Sequence, residues 1–237
     1  MSQLTLTEIV SGLHGLADAD TSKHLQKYFK TGPGEYAEGD VFIGVKVPQI
    51  RTLVSRFWKV ELQIIRSLLT SPIHEERLLA LLILVRKFKH GDEGLRRTLF
   101  RMYLENTVHI NNWDLIDSSA EHVVGAYLKD KDRGLLQELA VSESLWERRI
   151  AILSTFHYIK HHEFDDTLKI AEILLQDRED LIHKAVGWML REVGNRNRWV
   201  EEQFLKLHYK EMPRTMLRYA IEKFPEELRQ DYLKGRV

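Results

Sequence analysis

Apolar runs recur along this chain at a nearly constant interval, and that interval is the tightest constraint on what it can fold into. Leu78 in ERLLALLIL to Asp114 in NWDLIDS is 36 residues, Asp114 to Arg149 in ERRIAILS is 35, and Arg149 to Lys184 in HKAVGWML is 35. Each of these residues opens an apolar run on what reads as the second helix of a pair. A helix pair that cannot bury its apolar face alone must stack on its neighbours, so a repeat near the roughly 40 residues of a HEAT-type unit predicts an α-solenoid. In such an array one set of helices lines a concave surface, where equivalent positions of successive units converge. A plain helical bundle with coincidental spacing is the alternative.

The rest of the chain agrees with helices. Only 13 Gly and 5 Pro punctuate it, and the segments between them carry apolar residues at helical spacing. Strand-type alternation is sustained only from Val41 to Val47. We expect an all-α fold in one HEAT-like domain over 1–237, because no low-complexity linker divides it. Helices are expected at 4–16, 22–30, 48–57, 60–69, 74–89, 93–105, 113–129, 133–140, 146–161, 166–176, 179–194, 199–209, 213–223 and 226–234. Pro48 fits the first turn of its helix.

Composition removes several chemistries. There is no cysteine, which excludes disulfides, thiolate metal sites and thiol nucleophiles. Lys and Arg number 35 against 35 Asp and Glu, so a polyanionic partner would have to meet a local basic face rather than a global field. No stretch approaches the roughly 18 apolar residues of a membrane span, and Met1 to Ala19 lacks the basic start of a signal segment. The expectation is a cytoplasmic protein without a membrane partner. His157 and His161 have zinc-ligand spacing but no HExxH around them, so no metal is expected. The segment TGPGEYAEGD, Thr31 to Asp40, lacks the GK[ST] of a phosphate-binding loop and reads as a turn-rich connection.

Several residues break the helical pattern. In the helix over 179–194, Ile182, Val186, Met189 and Val193 form one apolar stripe, while Lys184, Trp188 and Arg191 fall roughly opposite. An indole between two cations suits a ligand that is both stacked and anionic. Packing of Trp188 on a neighbouring helix is the alternative. Asn111 and Asn112 supply an N-cap, after which Trp113 and Asp117 share a face one turn apart. Asp117 stands at the edge of an apolar stripe, where its carboxylate needs a cleft or a partner. It could instead be a first-turn acid favoured by the helix dipole, a role Asp114 fills as well or better. Arg149 lies beside an apolar face, with a carboxylate or a phosphate as its expected partner.

With these residues in view, the sequence resembles the AlkD-type DNA alkylation repair proteins, a family of HEAT-like-repeat DNA glycosylases. The resemblance runs from about Leu25 to Tyr219. It rests on LQKYFK, FIGVKVPQIR, the W-D-x-x-D of Trp113 to Asp117, the WERRIAIL of Trp146 to Leu153 and the HKAVGWMLRE of His183 to Glu192. By position it implies a catalytic carboxylate at Asp117 and sugar-contacting tryptophans at Trp113 and Trp188. It further implies a DNA-contacting tyrosine at Tyr28, phosphate-contacting arginines at Arg149 and Arg191, and a weaker match at Arg51; Lys184 joins the basic stripe. The sequence departs from the family at Asn112, where some members have a further Trp, at His157, where some have a basic residue, and in a longer Thr31–Asp40 connection.

The implied activity is hydrolysis of the N-glycosidic bond of cationic N3- or N7-alkylated purines in duplex DNA. The implied protein is a monomer with no cofactor, and its partner is double-stranded DNA containing alkylated bases. No lysine neighbours Asp117 in sequence to act as a lyase nucleophile. A non-catalytic relative that binds distorted or branched DNA is the alternative, and a protein-binding solenoid a more distant one.

Overall fold

The structure is a computed structural model and describes residues 5–237; the start of the first expected helix, at Leu4, lies outside the described residues. The chain packs as two compact units, Met1–Ser119 and Ala120–Val237. Among the described residues the secondary structure is helical, with no strand.

The first unit contains α1 (Leu6–His14), α2 (Ala19–Tyr28), α3 (Val47–Phe57), α4 (Leu62–Leu69), α5 (His74–His90), α6 (Glu93–Leu104) and α7 (Trp113–Asp117). Starts follow the capping chemistry. Thr5 and Glu8 form a reciprocal capping box on α1, and the side chains of Asp18 and Asp92 accept from the Thr21 and Leu95 N–H groups. Asp18 thus starts α2 three residues earlier than expected. Pro48 sits in the first turn of α3. In α5 every residue from His74 to Leu84 is buried. A helix buried all round belongs at the centre of its unit, and α5 packs against α3, α4, α6 and α7.

The alternation at Val41 to Val47 produces no strand. Val41 forms an isolated bridge to Ile73, and the backbone beyond it is claimed by a side chain. The buried carboxylate of Glu75 accepts hydrogen bonds from the N–H groups of Ile43, Gly44 and Val45 at 2.8–3.2 Å. Those donors are unavailable to a ladder, and the carboxylate in turn is satisfied. Gly44 has φ +86°, and a Cβ there would lie 2.0 Å from the Asp18 carbonyl oxygen.

A second buried charge group closes the same unit. His74 Nδ1 lies 3.0 Å from Asp40 Oδ2, and Nε2 lies 2.9 Å from Asp114 Oδ2. Arg77 donates to the other oxygen of Asp40, and Asn112 Nδ2 donates to Asp40 at 3.2 Å. Burial opposes the imidazolium, but the charges and hydrogen bonds of Asp114 and Asp40 outweigh it and raise the His74 pKa to about 9. Burial likewise works against the Asp40 carboxylate; the His74 hydrogen bond and the Arg77 charge prevail and hold it below its ordinary value.

The second unit contains α8 (Ala126–Leu128), α9 (Gly134–Ala140), α10 (Leu145–Ser154), α11 (Phe156–Ile159), α12 (Asp165–Ile173), α13 (Asp180–Gly194), α14 (Arg198–His208), α15 (Arg214–Ala220) and α16 (Glu226–Lys234). Here the repeat is visible in the packing. Helix α10 packs on α9 and α13 on α12, and α10 and α13 pack on each other, as stacked pairs of an α-solenoid do.

Two long helices of the sequence reading are broken. The one expected over 113–129 stops at Asp117 and resumes as a π-type turn, Glu121–Gly125, before α8. The hydroxyls of Ser118 and Ser119 both donate to the Leu115 carbonyl, competing with the helical ladder. The one expected over 146–161 is divided at Thr155, where Ser154 and Thr155 donate to the carbonyls of Ile150 and Ile152.

Two measurements probe these interactions. Gly44→Ala should destabilise the protein by on the order of 3 kcal/mol, read as a lower urea midpoint at unchanged slope, because the positive φ and the Asp18 carbonyl both reject a side chain. A folded-state pKa raised from 6.5 to about 9 means that the His74 contribution is complete below pH 6.5 and is lost as pH rises through 9. The stability gap between wild type and His74→Gln should therefore shrink from pH 6.5 to 9.5; a constant gap would contradict the network.

Candidate functional site

The buried charges of the first unit end at an open pocket. Asp114 follows the N-cap residue Asn112, whose side chain accepts from the Trp113 N–H at 2.8 Å, so the His74 and Asn112 contacts fix the entry to α7. Trp113 and Asp117, at the two ends of this short helix, line one pocket of about 280 Å³ together with Arg51, Asp114, Leu78 and Leu82. Both are half-buried, so each side chain has a dry side and a wet side. The carboxylate position and the indole deduced from sequence thus share a cavity with Arg51.

Aromatic packing holds the Trp113 ring. Phe29 stacks on it at 5.1 Å between ring centroids and 15° between planes, and Phe29 in turn stacks on Phe42, which lies over the His74 ring at 4.3 Å. Tyr28, the last residue of α2, meets Trp113 edge-on at 6.1 Å and is 58% exposed. The Trp113 indole N–H donates to the Tyr36 hydroxyl at 3.2 Å.

Tyr36, Asp40, Phe29 and His74 were missed by the sequence reading. Tyr36 and Asp40 belong to the Thr31–Asp40 connection, which carries no periodic signal, and the ring of Phe29 gives no sequence cue to its neighbour. Asp114 was read as a dipole-favoured acid; its Oδ1 does accept from the Leu115 N–H at 2.9 Å, while its Oδ2 takes His74.

In the second unit, α13 shows both stripes. Ile182, Val186, Met189 and Val193 are fully buried, whereas Lys184, Trp188 and Arg191 are half-buried. The Trp188 ring lies 5.9 Å from Phe156, and Lys160 and Arg196 stand over the other ring's π-system at 4.1 and 5.6 Å. Lys184 pairs with Asp180 at 2.6 Å, and this hydrogen bond holds the Asp180 carboxyl below its ordinary value. Arg191 pairs with Glu222. Arg149 is buried, and its Nη1 donates to the Leu181 carbonyl at 2.5 Å. A backbone oxygen thereby joins the carboxylate and phosphate considered for it from sequence.

The two histidines with zinc-ligand spacing have a different arrangement. The His157 carbonyl is 2.7 Å from His161 Nδ1, the rings are 4.7 Å apart, and burial together with the His161 charge lowers the His157 pKa to about 4. Among the described residues no cluster of three or more metal-ligating side chains is formed, and no helix is long and apolar enough to cross a membrane.

The comparisons with known proteins bear on the fold and the family. A solved structure described as a predicted DNA alkylation repair enzyme from Enterococcus faecalis matches with a TM-score of 0.68 at 16% identity, over 89% of this chain and 97% of that one. A likeness at that identity bears on the fold alone. No curated protein matches the chain. The family model for DNA alkylation repair enzymes matches residues 9–224, and the chain belongs to that family.

Proposed function

We propose that this protein is a monofunctional DNA glycosylase that releases cationic N3- and N7-alkylated purines from duplex DNA. The observation that carries the reading is the pocket in which Asp117, Trp113 and Arg51 meet, with Tyr28 edge-on to the indole. A purine alkylated at N3 or N7 is already positively charged, so its glycosidic bond is weakened and needs no general acid. What remains is to stabilise a sugar that becomes cationic as the bond breaks, and to deliver water to it.

Asp117 would do both. A carboxylate about 4 Å from a unit positive charge is worth about 1 kcal/mol in bulk water and about 4 kcal/mol at an effective dielectric of 20. A half-buried position favours the larger figure. The Trp113 ring would add about 0.5–2 kcal/mol through its π-face. Tyr28, Arg51, Lys184 and Arg191 would hold the DNA, positioning it without reading its sequence, while the buried Arg149 would act through the backbone of Leu181. In this reading the whole chain works as one monomeric domain in the cytoplasm, with neither metal nor cofactor.

Incubation with N-methylated duplex DNA should yield free base and alkali-sensitive abasic sites. Asp117→Asn should slow the release by about fivefold to about a thousandfold, the range that about 1–4 kcal/mol gives. Release at the wild-type rate would remove Asp117 from the mechanism, and DNA binding without any release would remove catalysis. Tyr36→Phe deletes the hydrogen bond that orients Trp113 and should slow release about two- to tenfold, the worth of a net hydrogen bond, while lowering the melting temperature by no more than about 2–4 °C.

A further inference from the structure

A second groove opens on α3 and α5, two of the three helices that line the Trp113 pocket. It has a volume of about 410 Å³ and is lined by Arg51, Ser55, Leu82, Arg86, Lys89 and His90 among others, with no carboxylate. Arg51 and Leu82 line both cavities, so the groove continues the pocket along α3 and α5. Among the described residues, none of Arg51, Arg86, Lys89 and His90 forms an ion pair with an acid, although the chain as a whole has no net charge.

The groove is also prearranged. Arg86 donates to the Ser55 hydroxyl at 3.0 Å and its guanidinium lies 5.2 Å from the centre of the Trp58 ring. Trp58 packs on the His90 ring at 5.3 Å, and Lys59 stands 5.6 Å from the same indole. A guanidinium held between a hydroxyl and an aromatic ring loses little freedom when it meets a phosphate, and its fork retains donors beyond the one used by Ser55. Arg86 and Lys89 follow one another at i and i+3, which places two positive groups within one helical turn, with the His90 ring beside them.

We propose that this groove is a phosphodiester track, in which Arg86 and Lys89 grip the backbone of the duplex beyond the nucleotide seated at Trp113. The proposal rests on the reading above only in taking duplex DNA as the partner. Its contacts are to backbone alone, so they carry no information about the base and act on damaged and undamaged duplex alike.

The test is the salt dependence of duplex binding, measured by fluorescence anisotropy with methylated and unmodified oligonucleotides of equal length. Each lost phosphate contact lowers the slope of log K against log salt by about 0.9. Arg86→Gln and Lys89→Gln should each lower it by about 1, the double variant by about 2, and equally for both duplexes. Lys234→Gln, an exposed charge in α16, should leave the slope unchanged. Lys89 is exposed, so its variant keeps the test valid even if the half-buried Arg86 proves necessary for folding. A wild-type slope in Lys89→Gln, or an equal fall in Lys234→Gln, would overturn the track. Wild-type protein that binds duplex and responds as described but releases no base would sink the glycosylase reading and leave the groove standing; wild-type protein that ignores duplex at low salt would sink both.

Discussion

The imidazolium of His74, clamped between Asp40 and Asp114, is the interaction on which the first unit's functional side depends. A buried cation with two carboxylates is expensive to dehydrate and tolerable only when its charges are paired. Here Arg77 and Asn112 complete Asp40, and the Leu115 N–H completes Asp114. The price of this arrangement is repaid in position. Asp40 comes from the Thr31–Asp40 connection, His74 from the start of the central helix, and Asp114 from the helix that carries Trp113 and Asp117. One charged ring therefore fixes three segments distant in sequence.

Glu75, the next residue, performs a similar task by other means. Its carboxylate gathers three successive backbone N–H groups and holds the Val41–Val47 segment against α5. An apolar α5 alone would bury surface without specifying which loop lies over it. The polar first turn of that helix supplies the specification, and it sits where the helix dipole favours negative charge. The pocket then inherits its rigidity. Phe29, Phe42 and His74 form a continuous stack behind Trp113, while the indole N–H is fixed by Tyr36.

The helical architecture was readable because burial imposes periodicity. The stripe of Ile182, Val186, Met189 and Val193 is fully buried, and the spacing of the anchor residues reappears as the stacked pairs of the second unit. The breaks after Asp117 and at Thr155 escaped the pattern, because apolar spacing continues through them while serine and threonine hydroxyls rearrange the hydrogen bonds. The Trp113–Asp117 pair was legible from a local i, i+4 relation on one helix. Its supporting cast was not, since Tyr36 is 77 residues from Trp113 and Asp40 is 34 from His74.

Sequence by itself determined which helices form, which faces they bury, and that an acid and two indoles interrupt those faces, because each follows from spacing within a few turns. Tertiary structure alone decided that an unpatterned loop orients Trp113, that Arg149 donates to a backbone carbonyl, and that three cations of α3 and α5 share a groove without acids. Such partnerships are settled by which segments burial brings together and by the need of every enclosed charge for a counterpart, and no interval along the chain records them.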